Sequence, residues 1–146
     1  MTLYETELSE EHRELRDTVA RFAREVVAPV IGDHYLRGAF PYEIVTAMGE
    51  IGLFGLPIPE DYGGMGGDYL ALGIALEELA RVDSSVAITL EAAVGLGAMP
   101  IFRFGDEAQK QAWLPDLCAG NRADPGRSQD RELLTRQRSG SHSAQG

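Results

Sequence analysis

This chain is poor in the residues that anchor several large classes of protein. A single cysteine, Cys118, stands among 146 residues, so no intramolecular disulfide can form. The three histidines, His12, His34 and His142, are scattered, and no two share a ligand spacing, which argues against a metal centre. No stretch alternates apolar and polar side chains over five or more positions, so no sheet is expected, and no repeat or heptad array is present. No uninterrupted apolar run is long enough to cross a bilayer, and the opening MTLYETELSEEH lacks a basic, apolar leader; the expectation is a cytoplasmic protein without a membrane. Positive charge is scarce as well. The formal net charge is −10; the segment from Asn121 to Gly146 is +2, and the first 120 residues are therefore −12. So acidic a body argues against nucleic-acid binding through phosphate contacts.

What remains is ordinary for a globular domain, with 44% hydrophobic and 25% charged residues. The length allows one domain with a real core. Ser9 reads as an N-cap, with Glu10 and Glu11 against the positive end of the helix dipole. Leu15, Val19, Phe22, Val26 and Val30 then form one apolar stripe. Pro29 is expected to kink or end this helix, with a connector from Gly32 to Ala39. Pro41 fits the first position of a second helix, and Gly52 sits just past its end.

The stretch from Gly52 to Ser85 organises the rest. A glycine-dense connector, Gly63–Gly67, leads to Asp68 as N-cap, and then to a helix whose apolar residues point all round the cylinder. Asp83, Ser84 and Ser85 open a fourth helix near Val86. Gly95, Gly97 and Pro100 predict that it breaks into two pieces, about 86–94 and 99–104. Asp106 and Gln109 have the spacing of a capping box for a last helix, which Pro115 disturbs and Gly120 ends.

The blocks PIPEDYGGMG at Pro57–Gly66 and EELARVDSS at Glu77–Ser85 resemble the N-terminal helical domain of acyl-CoA dehydrogenases. So do Phe40-Pro41, Met99–Ile101 and FGDEAQKQAWLPDL at Phe104–Leu117, all in the right order. The resemblance implies an all-α fold, an orthogonal or up-down bundle of about five to six helices over residues 1–120. It also implies an FAD-dependent oxidoreductase acting on acyl-CoA, an electron-transfer flavoprotein as partner, and a homo-oligomer. In the family the helix at 86–104 lines the acyl slot, which carries over to Thr89, Ala92, Ala93 and Leu96 as pocket wall. This chain has EAAVGLG at Glu91–Gly97, without the polar side chains that related sequences carry at Ala93 and Val94.

Other candidates have plainer readings. The loop Gly63–Gly67 lacks the Gly-Lys-Ser/Thr of a phosphate cradle, and its glycines suit a tight connector. Glu77 and Glu78 with Arg81 read as a solvated or subunit-facing patch with a local ion pair. Cys118 has no activating partner nearby in sequence and reads as small filler.

After Gly120 the resemblance stops. The family's next motif, Thr-Glu-Pro with its β domain and flavin cradle, does not follow, nor does the C-terminal domain that carries the carboxylate base. Residues 121–146 hold five arginines, no aromatic residue and only Leu133 and Leu134 as sizeable apolar groups. They are expected to be a disordered tail, with the composition of a shifted reading frame. No catalytic and no cofactor-binding residue is assigned, and the isolated chain is expected to be inactive. The alternatives are a non-catalytic helical module that binds a full-length homologue, or a fragment of a same-fold flavin monooxygenase.

Overall fold

The computed structural model describes residues 8–121. The expectations for a frayed lead-in and for the 121–146 tail fall almost wholly outside them. Among the described residues all regular structure is helical, in five continuous helices. α1 runs over residues 10–37, α2 is Tyr42–Glu50, α3 is Tyr69–Ala80, α4 is Ser84–Phe104 and α5 is Glu107–Cys118. Single 3₁₀ turns at Leu53–Gly55 and Glu60–Tyr62 lie between α2 and α3.

Helix starts follow local chemistry. The Ser9 hydroxyl accepts from the His12 amide at 3.2 Å, and Asp68 Oδ1 from the Ala71 amide at 2.8 Å. Asp83 caps α4, which starts at Ser84 rather than near Val86. The Asp106–Gln109 capping box is complete in both directions. Pro41 is the N-cap of α2 rather than its first helical residue, and its carbonyl accepts from both Ile44 and Val45. Gly38 and Gly52, at φ +61° and +80°, close α1 and α2 in the left-handed region that only glycine enters without strain.

Two further expectations are corrected at Pro29 and Pro100. Pro29 neither ends nor replaces α1 with a connector; the helix continues through Arg37. Pro100 does not divide α4. In each case a π-helical segment ends two residues before the proline: Ala23–Val27 before Pro29, and Ala92–Ala98 before Pro100. A proline ring collides with the carbonyl four residues back, here Glu25 and Leu96. Both residues lie inside the widened segments, where the bonds run from residue i+5 to i, as from the Ala28 amide to the Ala23 carbonyl. The helix accommodates the proline by widening, and so does not break.

The core gathers Val19, Phe22, Ala23 and Val27 of α1 with Ile44, Val45 and Met48 of α2. Phe54 and Ile58 of the connector, Leu79 of α3, Leu90 and Val94 of α4 and Leu114 of α5 complete it. No charged or polar residue is buried among the described residues. α3 packs on α1 on one side and α4 on the other. It is not covered all round: Tyr69 and Leu70, at its start, are about half exposed. α4 is by length and composition long and apolar enough to cross a membrane. This corrects the expectation that no apolar stretch is long enough to do so; one side of α4 packs on the domain through Val86, Leu90, Val94, Ala98 and Met99.

Candidate substrate-facing helix

α4 has two different sides. Val86, Ala87, Leu90, Val94, Ala98 and Met99 are buried, whereas Ile88, Leu96 and Phe104 are 67%, 78% and 87% exposed. The four predicted wall residues run from half-buried to exposed. Thr89 and Ala93 are half-buried, and Ala92 and Leu96 stand exposed beside them. Their spacing of three, one and three residues keeps them near one stripe of the helix. Thr89 Oγ1 donates to the Ser85 carbonyl at 2.8 Å, so the hydroxyl's proton is held by the backbone and the rest of the stripe is apolar.

Two hollows flank this helix. One, about 490 Å³, lies between the end of α1 and the start of α4, with Ile31, His34, Tyr35, Phe40, Asp83 and Thr89 among its walls. The other, about 300 Å³, is bounded by Tyr69, Gly95, Met99, Pro100, Arg103 and Phe104. Of the four predicted residues only Thr89 reaches either; Ala92, Ala93 and Leu96 line neither, and form an open face instead.

Most polar groups at these hollows have partners within the domain. Asp83 Oδ1 accepts from the Ser85 and Val86 amides at 2.9 and 3.0 Å and from the Ser85 hydroxyl. His34 Nε2 pairs with Glu43 Oε1, joining α1 to α2, and its buried Nδ1 has no hydrogen-bond partner. The Glu43 carboxyl is held below its ordinary value, first by its own backbone amide and then by His34, against desolvation. Arg103 Nη2 donates to the Tyr69 hydroxyl at 2.7 Å, with its guanidinium 5.8 Å from the ring centroid. This pair is 34 residues apart, and no sequence signal joins it.

The glycine-rich loop is a structural connector. The amides of Gly63, Gly64, Met65, Gly66 and Gly67 donate to the carbonyls of Glu60, Pro59, Gly55, Ile58 and Leu56, at 2.8 to 3.1 Å. None of the five is left to receive a phosphate. The residues of this loop therefore do not fit the pyrophosphate of FAD. Arg81 makes the expected local ion pairs, 2.7 Å to Glu77 and 3.5 Å to Glu78. Cys118 is buried, and burial pushes its thiol up to about 11, the opposite of an activated nucleophile.

An all-helical domain built on a π-widened helix with one bare apolar side is the class defined so far. The chain belongs to the acyl-CoA dehydrogenase family: residues 9–121 match Acyl-CoA dehydrogenase, N-terminal domain. "Probable acyl-CoA dehydrogenase YngJ" of Bacillus subtilis is 41% identical over 114 residues, which is 78% of this chain and 30% of that protein. Butyryl-CoA dehydrogenase from Megasphaera elsdenii has the same fold at a TM-score of 0.73 and 36% identity, over 77% of this chain and 30% of that one. An acyl-CoA dehydrogenase complexed with FAD from Bacillus anthracis matches at a TM-score of 0.70 and 33% identity, over 77% of this chain and 19% of that one. The chain thus spans about a third or less of the length of these relatives.

Proposed function

We propose that these residues supply one wall of the acyl slot of an FAD-dependent acyl-CoA dehydrogenase, the enzyme class that desaturates acyl-CoA thioesters between the α and β carbons. The observation that carries this reading is the bare apolar stripe of α4 within a domain of the acyl-CoA dehydrogenase family. Ala92, Ala93 and Leu96 would meet the acyl chain, with Thr89 at the end of the stripe. Their bulk would set chain length and branching, at about 1–3 kcal/mol per methylene. Ala92 and Ala93 leave room, and Leu96 narrows it. In this reading flavin, catalytic carboxylate and the docking of an electron-transfer flavoprotein need the further length that the relatives have. The 146-residue chain alone then turns over no acyl-CoA.

A chimera tests the wall. Residues 9–121 replace the matching segment of the Megasphaera butyryl-CoA dehydrogenase, and bound flavin is measured first. In a flavin-loaded chimera, Ala92→Leu or Ala93→Leu should shift the ratio of kcat/KM for long over short acyl chains by about 10- to 200-fold. An unchanged chain-length profile in both variants would refute the wall assignment. Reduction of an artificial electron acceptor by the purified 146-residue chain with acyl-CoA would refute its inactivity.

The exposed Ile88, Leu96 and Phe104 also favour a second reading, a non-catalytic module that docks this face on a complete homologue. Specific capture of one purified full-length relative, lost on Leu96→Glu, would support it.

A further inference from the structure

The hollow between α1 and α4 has a chemistry that the acyl-wall reading does not use. We propose that it binds an organic cation, an alkylammonium or guanidinium group. Tyr35 and Phe40 both border it, and Phe40 is steadied by an edge-on contact with Tyr42 at 4.8 Å and 61° between ring planes. Aromatic faces carry negative quadrupole density and attract cations. Asp83 adds a carboxylate to the wall. Its three hydrogen bonds all go to Oδ1, leaving Oδ2 free of protein donors. Ile31 and Pro41 provide apolar contact for the methylene stem of such a cation.

The sign of charge is what selects the ligand class. Among the described residues no lysine or arginine lines the hollow. The nearest basic residue in sequence, Arg37, is 4.0 Å from Asp33 on its own helix. The first 120 residues carry −12, which draws cations to a concave site and repels anions. A carboxylate or phosphate would meet Asp83, and His34, the ionisable base in the lining, is already paired with Glu43. A neutral apolar molecule would gain nothing from Asp83 or from the acidic surroundings.

The test uses the intact, ¹⁵N-labelled chain, titrated with tetramethylammonium and with arginine amide. Sodium chloride at equal ionic strength and the neutral isostere tert-butanol are the controls. Both organic cations should give saturable amide shifts at Tyr35, Phe40, Ser85 and Thr89 that neither control reproduces. The double variant Tyr35→Ala, Phe40→Leu should bind about tenfold more weakly, the loss expected for two cation–π contacts. Tyr35 is 86% exposed and Phe40 about half exposed, so the variant leaves the core intact, and circular dichroism verifies that. Asp83→Asn, which keeps an N-capping side chain, should also weaken binding. Equal shifts with tert-butanol would make the hollow merely apolar and overturn the proposal. Shifts spread over the acidic surface and unaltered by the variants would overturn it as well, as would displacement of the cation by octanoyl-CoA.

Discussion

Two glycine-to-alanine substitutions nine residues apart should change stability in opposite directions. At Gly64 a Cβ would stand 1.9 Å from the Ile58 carbonyl oxygen, 2.4 Å from its carbon and 2.7 Å from Ile58 Cβ. The obstacle is backbone, so no side chain can swing away. Relief needs a displacement of more than 1 Å, since Cβ contacts under 3.0 Å are essentially never found. The same Ile58 carbonyl accepts from the Gly66 amide at 2.8 Å, and the neighbouring Gly67 amide reaches Leu56 at 2.9 Å. Overpacking costs about 1–3 kcal/mol, and each weakened hydrogen bond about 1 kcal/mol more. Gly64→Ala should therefore lose about 3–5 kcal/mol. At about 4 °C per kcal/mol for a domain of this size, Tm falls by about 12–20 °C. Gly73 lies in α3, exposed, with nothing within 4 Å of an added Cβ. Gly73→Ala should gain about 0.5–1 kcal/mol, because alanine gives up less backbone entropy in a helix. Far-UV circular dichroism and the fluorescence of the single tryptophan, Trp113, follow both in urea. A Gly64→Ala midpoint within error of the parent would refute the close return of the loop onto Ile58.

Three further outcomes are expected. Asp106→Ala removes the side-chain acceptor of the Gln109 amide, one half of the capping box on α5, and should cost about 1 kcal/mol, measured in the same urea transitions. Asp68 is held below its ordinary value of 3.8, chiefly by the Ala71 amide and then by His12, against desolvation. A depressed carboxylate stabilises fully above its unfolded-state pKa, and that stability is lost as pH falls through the folded one. Below about pH 4 the parent should thus lose stability faster than Asp68→Asn, which retains a capping side chain; parallel Tm-against-pH curves would contradict this. Burial of Cys118 puts roughly one thiol in a thousand in the thiolate form at pH 8. A disulfide reagent should label the native chain orders of magnitude more slowly than the urea-unfolded chain.

How far these features can be read from sequence depends on the range of the physics involved. The caps at Ser9, Asp68, Asp83 and Asp106 are legible because each oxygen serves an amide two or three residues on. The helices themselves are legible from the same caps together with the apolar stripes, whereas their arrangement as a bundle comes from the family resemblance. The prolines mislead because the local rule describes an α-helical turn. It does not anticipate that buried Val27, Val94 and Ala98 hold a widened helix in place. The Thr89–Leu96 stripe is reached only through resemblance to the acyl-CoA dehydrogenases. The hollow joining Tyr35 and Phe40 to Asp83, and the Tyr69–Arg103 pair, depend on how distant helices meet, which no short window contains.

The two-sidedness of α4 separates two kinds of inherited change. Substitutions at Val94, Ala98 or Met99 act on whether the domain holds together at all. Those at Ala92 or Leu96 leave its heat tolerance almost untouched, because nothing in the core leans on them. A lineage can therefore explore new outward side chains on this helix one at a time, without a compensating repair elsewhere.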